Sequence, residues 1–264
     1  MALRTPLINV MIGAVQKAAR RLIRDFGEIE NLQVSKKGPA DFVTAADRRT
    51  EDILRIELSK ARPTFGFLLE ERGEIAGSDN SNRWIIDPLD GTTNFLHGIA
   101  HFAISVALER DRDIFAGVIY NPITNEMFWA ERGKGAHLND RRLRVSGRSD
   151  LTEAIVATGI PFLGAKDHPQ FLKQIASVMG ATAGVRRFGA ASLDMAFVAA
   201  GRFDGFWETG LKPWDIAAGV ALVREAGGMV SDLKGGRTML ASGDIVTANR
   251  DLHGPLIDLL RAGN

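Results

Sequence analysis

Between Trp84 and Asn94 the sequence reads Trp-Ile-Ile-Asp-Pro-Leu-Asp-Gly-Thr-Thr-Asn, a segment equipped to hold a hard cation and a phosphate. Asp87 and Asp90 stand just past an apolar run, separated by Pro88, whose ring fixes the local backbone. Mg²⁺ takes oxygen ligands, commonly one or two carboxylates completed by waters and phosphate oxygens. Asp87 and Asp90 can supply two such oxygens, and the backbone carbonyl of Leu89 a third. Gly91-Thr92-Thr93 then forms a flexible turn at a helix start, where backbone N–H groups can hold a phosphate. Alone, a segment of this kind is as readily a surface turn with a helix cap. Three other acidic positions argue against that reading. Glu70 and Glu71 follow the apolar run Phe65 to Leu69, Asp47 follows Asp41-Phe42-Val43-Thr44 at a helix start, and Asp215 opens a helix after Pro213-Trp214. Carboxylates gathered at strand ends and helix starts suit a multi-metal site, because converging negative charges are costly unless cations offset them.

The elements that must position these groups are legible in outline. Over Leu7 to Phe26, apolar residues at Ile8, Met11, Val15, Ala18, Leu22 and Phe26 form one helical stripe, with Lys17, Arg20, Arg21 and Arg24 largely off it. The pattern is that of a soluble packing helix and not of a signal peptide. A second helix is expected over Ala45 to Ala61, capped by Thr44 or Asp47 and stopped by Pro63. Strands are expected at Phe65 to Leu69, Trp84 to Ile86, Phe102 to Leu108, Ile114 to Tyr120 and Glu126 to Trp129. The second half alternates: strand at Ala154 to Thr158, helices at Gln170 to Met179 and Ser192 to Ala200, strand at Phe203 to Glu208, and a helix from Asp215 to Ala226 ended by Gly227-Gly228. Strands mixed with helices, hairpins among them, favour α+β layering over a simple doubly wound sheet.

Composition narrows the function. The 264 residues carry 33 Lys plus Arg against 32 Asp plus Glu, and the net charge of +1 gives no reason to invoke nucleic acid. The absence of cysteine removes disulfides, thiol catalysis and zinc–thiolate sites, and agrees with a reducing cytoplasm. No stretch approaches the ~20 apolar residues of a membrane span. With no internal repeat and no Pro/Ser-rich linker, the chain reads as one unit over residues 1–264, with approximate halves 1–145 for metal and phosphate and 146–264 for substrate.

Four ordered blocks resemble the inositol monophosphatase family of metal-dependent, lithium-sensitive phosphatases. They are Asp41-Phe42-Val43-Thr44-Ala45-Ala46-Asp47, Glu70-Glu71, Trp84 through Asn94, and Trp214-Asp215-Ile216-Ala217-Ala218-Gly219 leading to Glu225-Ala226-Gly227-Gly228. The resemblance implies a layered αβαβα sandwich of the sugar-phosphatase type, a homodimer, and a site where the two halves meet. It also implies two or three Mg²⁺ ions held by Glu70, Asp87, Asp90, Asp215 and the Leu89 carbonyl. Thr92 and Asp47 resemble the pair that orients and helps deprotonate the attacking water, with Glu70 beside them. Gly91 and Thr92 resemble the amides that cradle phosphate. Glu208 matches a position that binds sugar or inositol hydroxyls, and Gly189-Ala190-Ala191 a second substrate-contacting loop; Asp90 and Asp215 also face substrate. Two positions depart from the family pattern: Leu69 replaces the usual Gly before the acidic pair, and Ala190 stands where a hydroxyl residue is often found.

Water attack without a phosphoenzyme is expected, given no Cys and no plausible Ser/His relay. His97 and His101 are expected to pack or hydrogen-bond, since imidazole is not a preferred Mg²⁺ ligand. Glu71 has the weaker claim of the acidic pair. Lys36, Lys37, Arg186 and Arg187 read as solvated surface, and Phe203, Phe206 and Trp207 as core. The implied reaction is hydrolysis of inositol 1-phosphate; the same chemistry on histidinol phosphate or fructose 1,6-bisphosphate is the sibling alternative, and a nucleotide 3′-phosphatase is weaker. A non-catalytic or moonlighting binding protein on the same fold is the alternative of another class.

Overall fold

A computed structural model describes residues 4–28, 34–38, 41–161 and 167–262, with the side chains of 34–38 and 41–44 outside that description, so Lys36, Lys37 and the Thr44 cap are not placed. Helix α1 (Pro6–Gly27) spans the expected stripe. Thr5 accepts from the Ile8 N–H at 3.2 Å to cap it, and Pro6 occupies the first turn, where no N–H is needed. The hairpin β1 (Val34–Gly38) and β2 (Asp41–Thr44) leads into α2 (Ala45–Ala61), which has the expected bounds.

The first half builds on β3 (Phe65–Leu69), β4 (Gly73–Ile75), β5 (Asp79–Asp90), the short α3 (Thr92–Leu96), β6 (Ala103–Arg110), β7 (Asp113–Asn121), β8 (Glu126–Glu131), β9 (Gly135–Leu138) and β10 (Arg141–Arg142). These strands make one sheet in the order β10-β9-β8-β7-β6-β5-β3-β4, antiparallel except where β3 runs parallel to β5. The second half supplies β11 (Ile155–Thr158), α4 (His168–Met179), β12 (Gly184–Arg186), α5 (Ala191–Ala199), β13 (Gly205–Glu208), α6 (Pro213–Glu225), β14 (Met229–Ser231), α7 (Met239–Ser242), β15 (Ile245–Ala248) and α8 (Arg250–Ala262). Its sheet runs β12-β11-β13-β15-β14.

Alternation along the strands explains the layers. Trp84 and Ile86 on β5 bury against α1 and α2, while Ile85 between them faces the opposite cluster, built largely from α5 and α6. On β13, Phe206 joins that same inner cluster and Trp207 turns outward to Phe171 of α4 and Leu256 of α8. Three apolar clusters therefore lie between five layers: α1 and α2, the large sheet, α5 and α6, the small sheet, α4 and α8. This is the αβαβα sandwich expected, and Phe203, Phe206 and Trp207 are core as expected.

The main departure from the sequence reading concerns the acidic loop. The strand read at Trp84 to Ile86 runs on through Asp90, so both aspartates lie inside β5. Asp87 pairs with Ser105 and Asp90 with Ala103, so three steps on β5 oppose two on β6. That bulge, accommodating Pro88, turns the end of the strand and re-aims the two carboxylates. Strands β1, β2, β4, β9, β10, β12, β14 and β15 and helices α7 and α8 were not foreshadowed by the sequence.

The inner helices pack so closely that side chains are excluded where they cross. A Cβ built on Gly117 of β7 would lie 2.5 Å from the Ala218 carbonyl oxygen and 2.8 Å from its Cα on α6. Backbone cannot yield as a side chain can, so Gly117→Ala is expected to cost about 2–3 kcal/mol, near the top of the range for overpacking. Urea unfolding measures it, and unchanged stability would mean that this crossing is looser than described.

Candidate active site

Each expected carboxylate sits at the end of an element. Glu70 follows β3, and its N–H donates to the Ile86 carbonyl at 3.3 Å, which extends the pairing with β5 and sets Glu70 beside Asp87. Asp87 is 3% exposed, and its Oδ1 accepts from the Leu89 N–H at 2.9 Å across the bulge. Asp90 reaches across to the second half: its Oδ2 accepts from the Ser192 N–H at 2.8 Å and also from the Ser192 hydroxyl, at the first turn of α5. Asp215 opens α6, and its Oδ2 accepts from the Lys212 N–H at 2.7 Å. Ser105, the partner of Asp87 in the sheet, donates from its hydroxyl to the Trp214 carbonyl at 3.4 Å and so ties β6 to the start of α6.

Asp47 lies in the first turn of α2, where the helix dipole favours a carboxylate, and is fully buried. The Thr92 hydroxyl lies 3.3 Å from Asp47 Oδ1 and 3.0 Å from the Leu89 carbonyl oxygen, either of which can take its proton. Gly91 holds φ at +90°, a left-handed conformation that suits glycine. A Cβ there would come within 3.1 Å of the His101 carbonyl and 3.3 Å of the Ala190 Cβ and the Gly189 carbonyl. Thus the turn of the first half seats directly on the Gly189–Ala190 loop of the second, with Ala191 opening α5. Glu208, at the end of β13, presses its carboxyl against Gly159, so close that any Cβ at Gly159 would overlap it.

These groups share one electrostatic environment. Loss of hydration drives the Asp87 carboxyl well above the ordinary carboxylate range, and Glu70, Asp90 and Asp215 raise it further. Burial raises Asp90 to about 6, against the pull of its hydrogen bonds at Ser192. Asp215 is pushed to about 8 by lost hydration, with the charges of Asp90 and Glu70 adding to it and the Lys212 bond opposing. Glu208 also rises to about 8, chiefly by burial and then by Asp215 and Asp90, with Arg187 opposing. Among the described residues no three acidic or imidazole side chains already close into a metal shell. Glu70 and Asp87 instead share a hydrogen bond, while Asp90 leans on the start of α5 and Asp215 on the start of its own α6. The donor set nevertheless fits hard divalent ions: it is all oxygen, it is crowded with like charge, and cations would offset the repulsion that adds to burial at Asp87 and Asp215.

Sequence reasoning missed two groups that join the halves. Asn94 is 6% exposed, and its Nδ2 donates to the His101 carbonyl and the Phe188 carbonyl, both at 2.8 Å. Ser192, two residues beyond Ala190, supplies a hydroxyl near the place where Ala190 lacks one. Leu69, the other departure, is a fully buried strand residue and leaves the path to Glu70 intact. His97 bonds the Thr93 carbonyl at 2.8 Å through Nδ1, and His101 packs against the rings of Phe188 and Phe197, in keeping with their expected packing and hydrogen-bonding roles. The Glu71 N–H points away from the cleft, to Glu51 at 2.8 Å.

Fold and site together define a two-sheet layered protein with an acidic, oxygen-lined cleft at the seam of its halves. The comparisons place it further. A family model described as the inositol monophosphatase family matches residues 3–263. Inositol-1-monophosphatase of Mesorhizobium japonicum is 57% identical over 258 residues, covering 98% of this chain and 97% of that protein. Nus factor SuhB of Escherichia coli is 43% identical over 244 residues, covering 92% and 91%. The crystal structure of extragenic suppressor protein suhB from Bartonella henselae superposes with a TM-score of 0.96 at 54% identity, covering 98% of this chain and all 100% of the other. The chain belongs to the inositol monophosphatase family.

The raised carboxyls give a signed pH dependence. Asp215 and Glu208 titrate near 8 in the folded chain, against about 4 when unfolded. The folded state therefore binds their protons more tightly, and this stabilisation is complete below about pH 4 and is lost as pH rises through 8. In EDTA the melting temperature should fall between pH 5 and pH 8.5, and less steeply in the double variant Asp215→Asn, Glu208→Gln. Mg²⁺ should raise it more at pH 8.5 than at pH 5. Calorimetry over this range checks both, and a slope unaltered by the double variant would remove these two groups from the account.

Proposed function

We propose that the chain is a Mg²⁺-dependent phosphomonoesterase that hydrolyses inositol 1-phosphate to inositol and phosphate by direct attack of water. The observation that carries this reading is the convergence of Glu70, Asp87, Asp90 and Asp215 on one cleft, the three aspartates pressed toward their neutral forms by burial, beside a glycine turn able to receive a phosphate. Glu70, Asp87 and the Leu89 carbonyl would hold one ion, and Asp87, Asp90 and Asp215 another, with two or three in all. Bound there, divalent ions supply Lewis acidity to phosphate and water and stabilise the departing alkoxide.

The chain's own groups do the rest. The amides of Gly91 and Thr92 at the start of α3 bind phosphate oxygens. The Thr92 hydroxyl accepts a hydrogen bond from the attacking water and passes its own proton toward Asp47, 3.3 Å away. Buried at the start of α2, Asp47 holds Thr92 in the orientation that leaves its lone pair facing the water. On the leaving-group side, Glu208 and the Gly189–Ala191 loop receive the hydroxyls of the polyol. A carboxyl near 8 can accept from one hydroxyl and, when protonated, donate to the next. Relatives named inositol-1-monophosphatase at 57% identity favour inositol 1-phosphate over histidinol phosphate or fructose 1,6-bisphosphate. We read the enzyme as a single unit over residues 1–264, a lithium-sensitive, cytoplasmic homodimer that acts on neither nucleic acid nor membrane; among the described residues no helix is long and apolar enough to span one. Relatives named Nus factor SuhB at 43% identity keep a second reading in view, a partner-binding role beside catalysis, which pull-down with a site-dead variant separates from turnover.

Phosphate release from inositol 1-phosphate, histidinol phosphate, fructose 1,6-bisphosphate and adenosine 3′,5′-bisphosphate is the deciding assay. Inositol 1-phosphate should be preferred, with release abolished by EDTA and suppressed by lithium; preference for another substrate keeps the mechanism and overturns the name. Asp87→Asn should lower kcat roughly 10²-fold or more with the fold retained, since it removes a ligand shared between the two ions. Near-full activity of that variant would defeat the ion assignment. Gly159→Ala, which displaces the Glu208 carboxyl, should raise KM for inositol 1-phosphate more than for p-nitrophenyl phosphate; equal effects on both would deny Glu208 a role in selecting the leaving group.

A further inference from the structure

Helix α2 bears a second buried carboxylate that the reaction as derived does not use. Glu51 is fully buried and lies one turn beyond Asp47, on the same face of the helix. Its Oε2 accepts from the Glu71 N–H at 2.8 Å and its Oε1 from Arg72 Nη1 at 3.2 Å. Arg72 Nη1 also lies 2.7 Å from Asp52 Oδ1, so the helix grips the turn after β3 through two neighbouring acids. Beyond Ala46, Asp47 and Thr50 the buried face of α2 continues with Leu54 and Leu58, both fully buried, and simple packing would favour an apolar residue at position 51. A carboxylate removed from water is costly unless hydrogen-bonded and paired, and Glu51 spends both oxygens on the two residues that follow Glu70.

The consequence lies in what the turn carries. On one side the Glu70 N–H is fixed to the Ile86 carbonyl of β5, the residue before Asp87. On the other the next peptide, Glu71 N–H, is fixed to Glu51. Glu70 is thus suspended between the strand that bears Asp87 and the helix that bears Asp47. We propose that Glu51 is a positioning residue, setting Glu70 in register with Asp87 and Asp47 so that the first ion and the attacking water are placed together. This rests on the ion reading of the cleft given above. Partners of metal ligands commonly alter ion affinity by about 10- to 100-fold when removed, and an effect of that size is expected here. It should fall on the ion bound through Glu70 and leave the ion held by Asp90 and Asp215.

The test is direct Mn²⁺ binding, with free Mn²⁺ followed by electron paramagnetic resonance, in the full-length wild type, Glu51→Ala and Glu51→Gln. In Glu51→Ala one class of site should weaken about 10-fold or more and the remainder shift less than about threefold. The Mg²⁺ concentration for half-activation should rise by the same factor, while kcat at saturating Mg²⁺ changes little. Glu51→Gln keeps an oxygen for the Glu71 N–H but loses the charge facing Arg72, and should fall between the two. Unchanged Mn²⁺ affinity in folded Glu51→Ala overturns the proposal. So does equal weakening of every site together with a lowered melting temperature, the mark of general loosening. Should Glu51→Ala not fold, Glu51→Gln decides: selective weakening of one class by about threefold or more sustains the role, and wild-type binding ends it. A wild type that binds no Mn²⁺, or binding untouched by Asp87→Asn, removes the ion reading and this inference with it, and is recognised without any Glu51 variant.

Discussion

Mutual repulsion among carboxyl groups in a poorly hydrated cleft is the constraint from which the rest of this structure follows. Asp87 is nearly sealed from solvent, and three other acids raise it further. Left to themselves such side chains would swing apart toward water. Each is instead held by a hydrogen bond from rigid backbone: Leu89 N–H for Asp87, Ser192 N–H for Asp90, Lys212 N–H for Asp215. The fold holds the groups at the end of β5 and the start of α6, where packed cores on both sides resist the outward pull. It is a strained electrostatic arrangement that only cations, or protons, can relax.

The same constraint explains why two sheets are needed. No single element can present four acids to one point, so the carboxylates come from both halves and the halves must be locked in register. Asp90 on β5 bonding Ser192 on α5, Asn94 bonding the Phe188 carbonyl, and Gly91 seated on Gly189 and Ala190 form that lock at the cleft. Gly117 against Ala218 forms it deeper in the core, where the large sheet meets α6 a turn below Asp215. A shift at the deep contact would move Asp215 along its helix axis relative to Asp87, so core packing and the geometry of the site are one problem.

How much of this was legible in the sequence depends on the range over which each signal acts. The stripe of α1 follows from local periodicity, and the bounds of α2 and β3 and the inner helices α5 and α6 from stop signals and apolar runs; the structure matches them within a residue or two. The bulge after Ile86 does not, because Pro88 and Gly91 signal a turn whether or not a neighbouring strand captures the segment. Strands β12 and β14 are three residues each, too short to carry a period, and exist because β11 and β15 offer them open edges. The acidic residues were visible as types and spacings, and the roles proposed for them rest on four family blocks. Asn94 and Ser192 were not, since their partners Phe188 and Asp90 lie 94 and 102 residues away and polar residues at a helix start look like ordinary caps.

Glu208 differs from the other acids in a way that bears on specificity. Its carboxyl is wedged against Gly159, just past the neighbouring parallel strand β11, and among the described residues no hydrogen bond engages it. Asp90 and Asp215, the acids proposed to face the ions, each accept from a backbone N–H, which favours the ionised form that a cation wants. Glu208 lacks that hydrogen bond and, at about 8, exchanges between its neutral and ionised forms near that pH, open to donors and acceptors alike. Such a group suits vicinal hydroxyls better than a fixed cation, because it can adapt its proton to whichever hydroxyl faces it. On the proposed function, Asp90 and Asp215, each tied to a helix start, would meet metal and phosphate, and Glu208, without such a tie, would meet the alcohol.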